Sequence, residues 1–292
     1  MGNSISRSGQ RILGMLAAAA LLGASLLSTA DKAGAQEALE RLREQGFVRI
    51  AIANEPPYTE VKPDGSLAGA GPDLAREIFK RLEVDEIVAS VSEYGAMIPG
   101  LQAGRFDVVT AGLFMKPERC AAVAYSEPDL CDAEAFAVKA GNPLNLQSFE
   151  DIAANPDANV GVPGGSVEER TALEAGVPRD RTVVVPDGQS GIKMLQDGRI
   201  DAYSLPVLSI ADLLEKAGEG AGLEMVSPVQ GTPVSCAGAA FRKGEADLRD
   251  AYDEILAEMK ESGEFAEIIE PYGFSAEAAK GASREELCTA AN

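Results

Sequence analysis

The chain has 292 residues, with 46 acidic against 26 basic side chains and a net charge of −20. That balance argues against nucleic acid and anionic membrane as partners. There is no His, and none of the four Cys sits in a CxxC pair. The commonest general base and metal ligand are therefore missing, and neither a zinc site nor a cofactor is expected.

The first element is an export signal. Arg7 and Arg11 precede an apolar run, Ile12 to Leu27, and Ala33-Gly34-Ala35 is a small-x-small cleavage site. The run is shorter than the roughly 20 residues that a membrane span requires. Residues 1–35 therefore read as a secretory signal peptide cleaved near Ala35, with a periplasmic mature protein. The mature chain carries 23 basic and 45 acidic residues. An even Cys count in an exported chain points to disulfides among Cys120, Cys131, Cys236 and Cys288. Three pairings are open. Cys120–Cys131 is favoured because it is local, which leaves Cys236–Cys288.

The mature chain alternates strand-like and helix-like segments. "FVRIAIA" (47–53) is β-rich, and "PDLAREIFKRL" (72–82) has apolar residues at helical spacing. A strand (86–92), a helix (94–104) and a strand (106–112) complete a βαβαβ pattern, the signature of a parallel sheet with flanking helices. The pattern repeats as strand 159–165, helix 166–176, strand 181–186, helix 188–198 and strand 200–206. "LQAGRFD" and "LQDGRID" place Asp107 and Asp201 at matching positions in two similar halves. The expected fold class is α/β, with two lobes, each an open mostly parallel sheet flanked by helices. Two extended crossings, near 134–143 and 233–244, are expected to join the lobes. Lobe 1 is then discontinuous (36–138 plus 233–292), lobe 2 spans 139–232, and a ligand cleft lies between them.

"NEPPYTEVKPDGSLAGAGPDLAREIFKRL", "YGAMIPGLQAGRFDVVTAGLFMKPER" and "YSEP" resemble the polar amino-acid binding proteins of ABC uptake systems. The resemblance implies a monomeric two-lobed protein that closes on a small solute and presents it to the permease subunits. Arg119 matches the arginine that clamps a ligand carboxylate, a task suited to its bidentate fork. Tyr58 matches the family's stacking aromatic. The Gly164-Gly165-Ser166-Val167 turn is expected to offer backbone N–H groups.

Two departures carry more information. Phe114 stands where such proteins often have Ser or Thr, five residues before the arginine. Leu205 and Pro206 stand where an acidic residue usually pairs with the ligand's α-ammonium. With Tyr58 and Tyr94, Phe114 would make an aromatic cage for a diffuse cation, and Glu55 would accept a hydrogen bond from it. "NEPPYTE", "SEYGAMIPGLQAGRFDVVTAGLFMKPERCAAVAYSEP" and "LCDAEAF" resemble the ectoine- and hydroxyectoine-binding branch of the family. That resemblance implies ligand contacts from Glu55, Tyr58, Tyr94, Phe114 and Arg119, and from Ser166, Val167 and Glu168. Val167 replaces a frequent Thr, so only its backbone carries over.

Other readings stay open at this point. A polar amino-acid or opine binder returns if a cleft carboxylate such as Glu168 receives an ammonium. Glycine betaine suits an aromatic cage, although such cages commonly use Trp and the chain has none. A periplasmic enzyme on this fold, such as a cyclohexadienyl dehydratase, would use Glu55 or Glu168 for acid–base work.

Overall fold

Two β-rich runs seed two separate sheets. The computed structural model describes residues 38–289; the signal segment expected at 1–35 lies outside them. Lobe 1 begins with α1 (38–45) and β1 (Phe47–Ile52), then a short hairpin of β2 (Glu60–Val61) and β3 (Leu67–Ala68). Next come α2 (Ala70–Arg81), β4 (Glu86–Val91), α3 (Tyr94–Gln102), β5 (Val108–Val109), α4 (Pro117–Ala122) and β6 (Ala124–Tyr125). β7 (Cys131–Asp132) and β8 (Glu134–Lys139) carry the chain into lobe 2. There α5 (Phe149–Ala154), β9 (Val160–Pro163), α6 (Val167–Glu174) and β10 (Thr182–Val185) follow. Lobe 2 ends with α7 (Gly188–Gln196), β11 (Ala202–Pro206), α8 (Val207–Ala217) and β12 (Leu223–Val226). The chain returns through β13 (Ser235–Cys236) and β14 (Ala240–Phe241). It finishes with α9 (Ala246–Ser262), α10 (Glu264–Ile269), α11 (Ala276–Gly281) and α12 (Arg284–Thr289).

The lobe 1 sheet has the order β4-β1-β5-β14-β6, and the lobe 2 sheet the order β10-β9-β11-β8-β12. β1 is parallel to β4 and β5, and β9 is parallel to β10 and β11. The strands next to each crossing, β14 and β8, run antiparallel to their neighbours. Helices cover both faces of each sheet, so the central strands bury both sides and read as nearly continuous apolar runs. Val48, Ile50 and Ile52 of β1 meet Leu74, Ile78 and Phe79 of α2, with Tyr252 and Leu256 of α9. Ala51 faces the other way, toward Met97, Leu101 and Val109. In lobe 2, Phe136 and Val138 of β8 face Phe149 and Ile152, whereas Ala135 and Ala137 face Ile192, Leu195 and Leu213.

The internal repeat is reproduced bond for bond. Asp107 Oδ2 accepts from the Arg49 N–H at 3.0 Å, and Asp107 N–H donates back to Arg49 O at 2.8 Å. Asp201 Oδ2 accepts from the Asn159 N–H at 2.9 Å, and Asp201 N–H donates to Asn159 O at 2.8 Å. Each Asp ties the central strand of its lobe, β5 or β11, to the parallel neighbour β1 or β9.

Two expectations need correction. β8 pairs along its length with β11 and β12, so the change of sheet falls ahead of Glu134, not at 138/139. Its residues alternate between two buried faces, which a connecting linker would not do. The disulfides are Cys120–Cys288 and Cys131–Cys236, not the pairing that chain proximity favoured. β7 and β13 are antiparallel partners with Cys131 opposite Cys236, so the two crossings bring distant cysteines together. Cys120 on α4 meets Cys288 on α12, the last described helix. Proximity in sequence is a weak guide here because the chain visits lobe 1 twice.

Candidate functional site

The cleft faces the C-terminal ends of the parallel strands, where an open α/β sheet places its ligand. Tyr58, in the turn after β1, is only 1 % exposed, and its hydroxyl donates to Asp132 Oδ2 at 3.3 Å. Its ring lies against Gly112, where φ is +71° and an added Cβ would sit 2.4 Å from the ring. Glycine is needed there for both reasons. Phe114 follows and meets Tyr58 edge-on, with centroids 6.2 Å apart. The Phe114 backbone pairs with Ala237 on the return crossing. Tyr94 opens α3, and its hydroxyl lies 3.2 Å from Glu55 Oε2 and 3.1 Å from Ala111 O. Burial and neighbouring negative charge push the Tyr58 and Tyr94 phenols well above their ordinary values, so both stay neutral donors.

Arg119 sits on α4, which Pro117 starts. Its Nη1 donates to Phe114 O at 2.9 Å and its Nη2 to Gly165 O at 3.0 Å. The guanidinium thus touches both lobes. Its five N–H groups exceed these two acceptors.

Lobe 2 contributes the turn between β9 and α6. Ser166 caps α6 by accepting from Glu169 N–H at 3.1 Å. Gly165 N–H is taken by Glu169 Oε2 at 2.6 Å, and Ser166 N–H by Pro163 O at 3.3 Å. The backbone groups expected from Gly165 and Ser166 are therefore engaged by the protein. The first-turn N–H groups of Val167 and Glu168 have no intrahelical acceptors and are the ones a ligand can use.

All eight residues singled out from the sequence line one small cavity, together with Gly112 and Pro206. A wider, solvent-open crevice of about 340 Å³ adjoins it and shares only Glu55 and Tyr94 with it. Pro206 lines the cavity where an ammonium-pairing acid was expected and not found, and Leu205 is buried behind it. The lobes are shut around this space. Gly95 N–H donates to Gly164 O at 3.3 Å, and Ser209 Oγ on α8 donates to Glu55 Oε1 at 2.7 Å. Arg170 and Glu118 form an ion pair across the cleft.

The electrostatics are acidic at one end and basic at the other. Desolvation first, and then the Glu168 charge, raise the Glu55 carboxyl to about 7. Glu168 is 4 % exposed, and so is Glu134 at the start of β8. Desolvation and the Glu168 charge hold the Glu134 carboxyl well above the usual range. The site thus assembles an arginine, three aromatic rings and two cavity carboxyls, with a third carboxyl behind them. Such a set fits a small zwitterion with a carboxylate at one end and a desolvated cation at the other.

Sequence reasoning missed Glu134, Asp132, Ser209 and Gly112. Two acids inside the otherwise apolar stretch "LCDAEAFAV" were a usable signal, since a carboxylate in such a run is buried and needs a partner. Ser209 carried none, because its partner Glu55 is 154 residues away.

Two α/β lobes joined by two crossings and shut over a cavity of this kind define a cleft-closing solute-binding protein. The chain belongs to the bacterial extracellular solute-binding proteins of family 3, whose model matches residues 48–275. It is 35% identical over 276 residues to a probable amino-acid ABC transporter periplasmic-binding protein of Sinorhizobium fredii, covering 91% of this chain and 90% of that one. The L-cystine-binding protein TcyJ of Escherichia coli is 27% identical over 274 residues, covering 93% and 97%. Among solved structures, EhuB in complex with hydroxyectoine is 71% identical, with a TM-score of 0.86, covering 87% of this chain and 98% of that one. An ancestral amino acid-binding protein, described as a precursor of cyclohexadienyl dehydratase, is 26% identical with a TM-score of 0.70, covering 81% and 99%.

Proposed function

We propose that this protein captures ectoine and hydroxyectoine outside the cytoplasm and delivers them to the permease of an ABC importer. The observation that carries the reading is the cavity, which unites Arg119 with Tyr58, Tyr94 and Phe114 and with the carboxyls of Glu55 and Glu168. The 71% identical relative solved with hydroxyectoine supports it. Ectoine joins a carboxylate to a ring amidinium. Arg119 and the α6 first-turn N–H groups receive the carboxylate. The rings face the amidinium, each contact contributing ~0.5–2 kcal/mol when desolvated. Glu55 and Glu168 accept its N–H groups. Closure removes water from both charges, and the shut form docks on the permease. The protein is exported with cleavage near Ala35 and works as a monomer by binding, without catalysis.

Calorimetry with ectoine, hydroxyectoine, glycine betaine and a panel of amino acids tests the reading. Ectoine affinity no better than millimolar would sink it. Glu168 in the cavity wall favours one rival, a polar amino-acid binder using that carboxylate for the ammonium; tighter binding of an amino acid than of ectoine would establish that rival. Turnover of prephenate or arogenate would overturn the non-catalytic assignment. Arg119→Ala is expected to abolish detectable binding, because the ligand carboxylate is then buried without its charged partner.

A further inference from the structure

A second crevice, of about 290 Å³, lies where the return crossing passes between the lobes, and it shares only Val167 with the solute cavity. Lobe 1 supplies Lys116, lobe 2 supplies Glu134 and Arg170, and the crossing supplies Ser235. Glu134 is 4 % exposed, and its Oε2 is buried with no donor among the described residues. A buried carboxyl oxygen left that way is costly, so it marks a place where something else is bound. Lys116 has the opposite deficit. Its one side-chain partner among the described residues is Ser235 Oγ, at 3.3 Å, and no carboxylate pairs with it. Ser235 is itself 5 % exposed and still has its own O–H to donate. Arg170 is already held by Glu118 and Glu174. The crevice therefore contains one unmatched carboxyl and one unmatched ammonium, too far apart to satisfy each other.

We propose that this crevice is a second binding site, for a small amino acid whose ammonium donates to Glu134 and whose carboxylate is received by Lys116 and the Ser235 hydroxyl. One molecule of that class removes both deficits together, which neither a lone cation nor a lone anion does. A single water could meet Glu134 Oε2, but it would leave most of the space and the Lys116 charge unanswered. The volume is close to that of the smaller ligand pockets. Burial raises the Glu134 carboxyl, and burial with the Arg170 charge lowers the Lys116 ammonium, as expected of charged groups that lack counter-charges. Glu134 needs an N–H donor, so a quaternary ammonium solute is excluded from this site. Lys116 and Glu134 stand on different lobes, so the occupant bridges the lobes without entering the solute cavity.

Amide NMR during a glycine titration tests the site, on the free protein and again with one equivalent of ectoine filling the main cavity. The amides of Thr232, Val234 and Ser235 are expected to shift and to saturate at about millimolar glycine or below in at least one of the two states. Acetate and methylammonium, each carrying half of the zwitterion, and glycine betaine, which has no N–H, should bind at least about tenfold more weakly. Lys116→Ala should weaken glycine by at least about tenfold, and Glu134→Gln likewise; Lys116 is only half-buried, so its variant stays informative if the Glu134 variant fails to fold. No saturable shift below about 10 mM in either state overturns the site. Glycine affinity unchanged in Lys116→Ala, or matched by glycine betaine, overturns it too. Shifts confined to Gly112 and Ser166 would place glycine in the solute cavity and also overturn it. The site does not depend on the solute assigned above: failure of ectoine to bind leaves the free-protein titration to decide.

Discussion

At the scale of single residues, Phe114 serves both the pocket and the core. Its ring lines the cavity, is only 4 % exposed, and packs with Tyr58, Leu130, Val167 and Ala237. If the proposed solute is right, Phe114→Ala is expected to weaken its binding by roughly 1–3 kcal/mol, from lost area and cation–π contact. It should also lower unfolding free energy by about 3–5 kcal/mol. Calorimetry and urea denaturation separate the two, and unchanged binding with lowered stability would make Phe114 a core ring only. Glu55 gives a pH signature. Its carboxyl is raised to about 7, so in the shut form its burial favours stability in acid, and that contribution is lost as pH rises through about 7. Binding a cation needs the ionised form. Affinity is expected to fall as pH drops below about 7, and Glu55→Gln should flatten that limb while weakening binding overall. A flat wild-type profile from neutral to acid pH would remove Glu55 from contact with the cation.

At the scale of elements, the β9–α6 turn meets the start of α3 backbone to backbone. Gly165 has φ +72°, and a Cβ there would come within 2.4 Å of Gly95 Cα. Gly165→Ala is expected to hold the lobes apart and weaken solute binding by at least about tenfold, beyond the cost of a strained φ. Gly95→Ala is the matched control, since its Cβ would meet Gly165 Cα at 3.4 Å, an ordinary contact. Equal affinities for the two variants would show that closure does not depend on this contact. The βαβ alternation and the LQxGR repeat were legible in the sequence, and the family resemblance pointed to eight residues that line one cavity. Periodicity and motif spacing are local, and they survive without knowing which distant segments meet. The disulfide pairing, the lobe allegiance of β8 and the Ser209–Glu55 bond were not legible. Each depends on where two crossings bring segments together, and chain spacing does not encode that. The interlobe turn was readable as Gly-rich, but not which of its N–H groups the protein itself would occupy.

At the scale of the whole molecule, both crossings are bound side by side. Cys131 and Cys236 stand opposite one another in the β7–β13 ladder and close a span of 105 residues. Replacing both with Ser is expected to cost roughly 2–5 kcal/mol of stability, read by urea denaturation of the ligand-free protein. Wild-type stability in that variant would mean that the backbone ladder alone defines the joint. Asp132, the next residue, accepts from Tyr58 in lobe 1 and from the Leu208 N–H at the start of α8 in lobe 2. The hinge therefore holds one wall of the pocket and one end of the lobe 2 helix at the same carboxylate. The Gly95–Gly165 contact adds a consequence for solute size. At that point the jaws meet on main chain with no side-chain cushion, so the contact works as the hard stop of a caliper. A solute one methyl too large keeps the jaws ajar and breaks the Arg119–Gly165 and Ser209–Glu55 bonds together. Affinity across a series of enlarged analogues should then drop in a step, where a softer gap would give a slope.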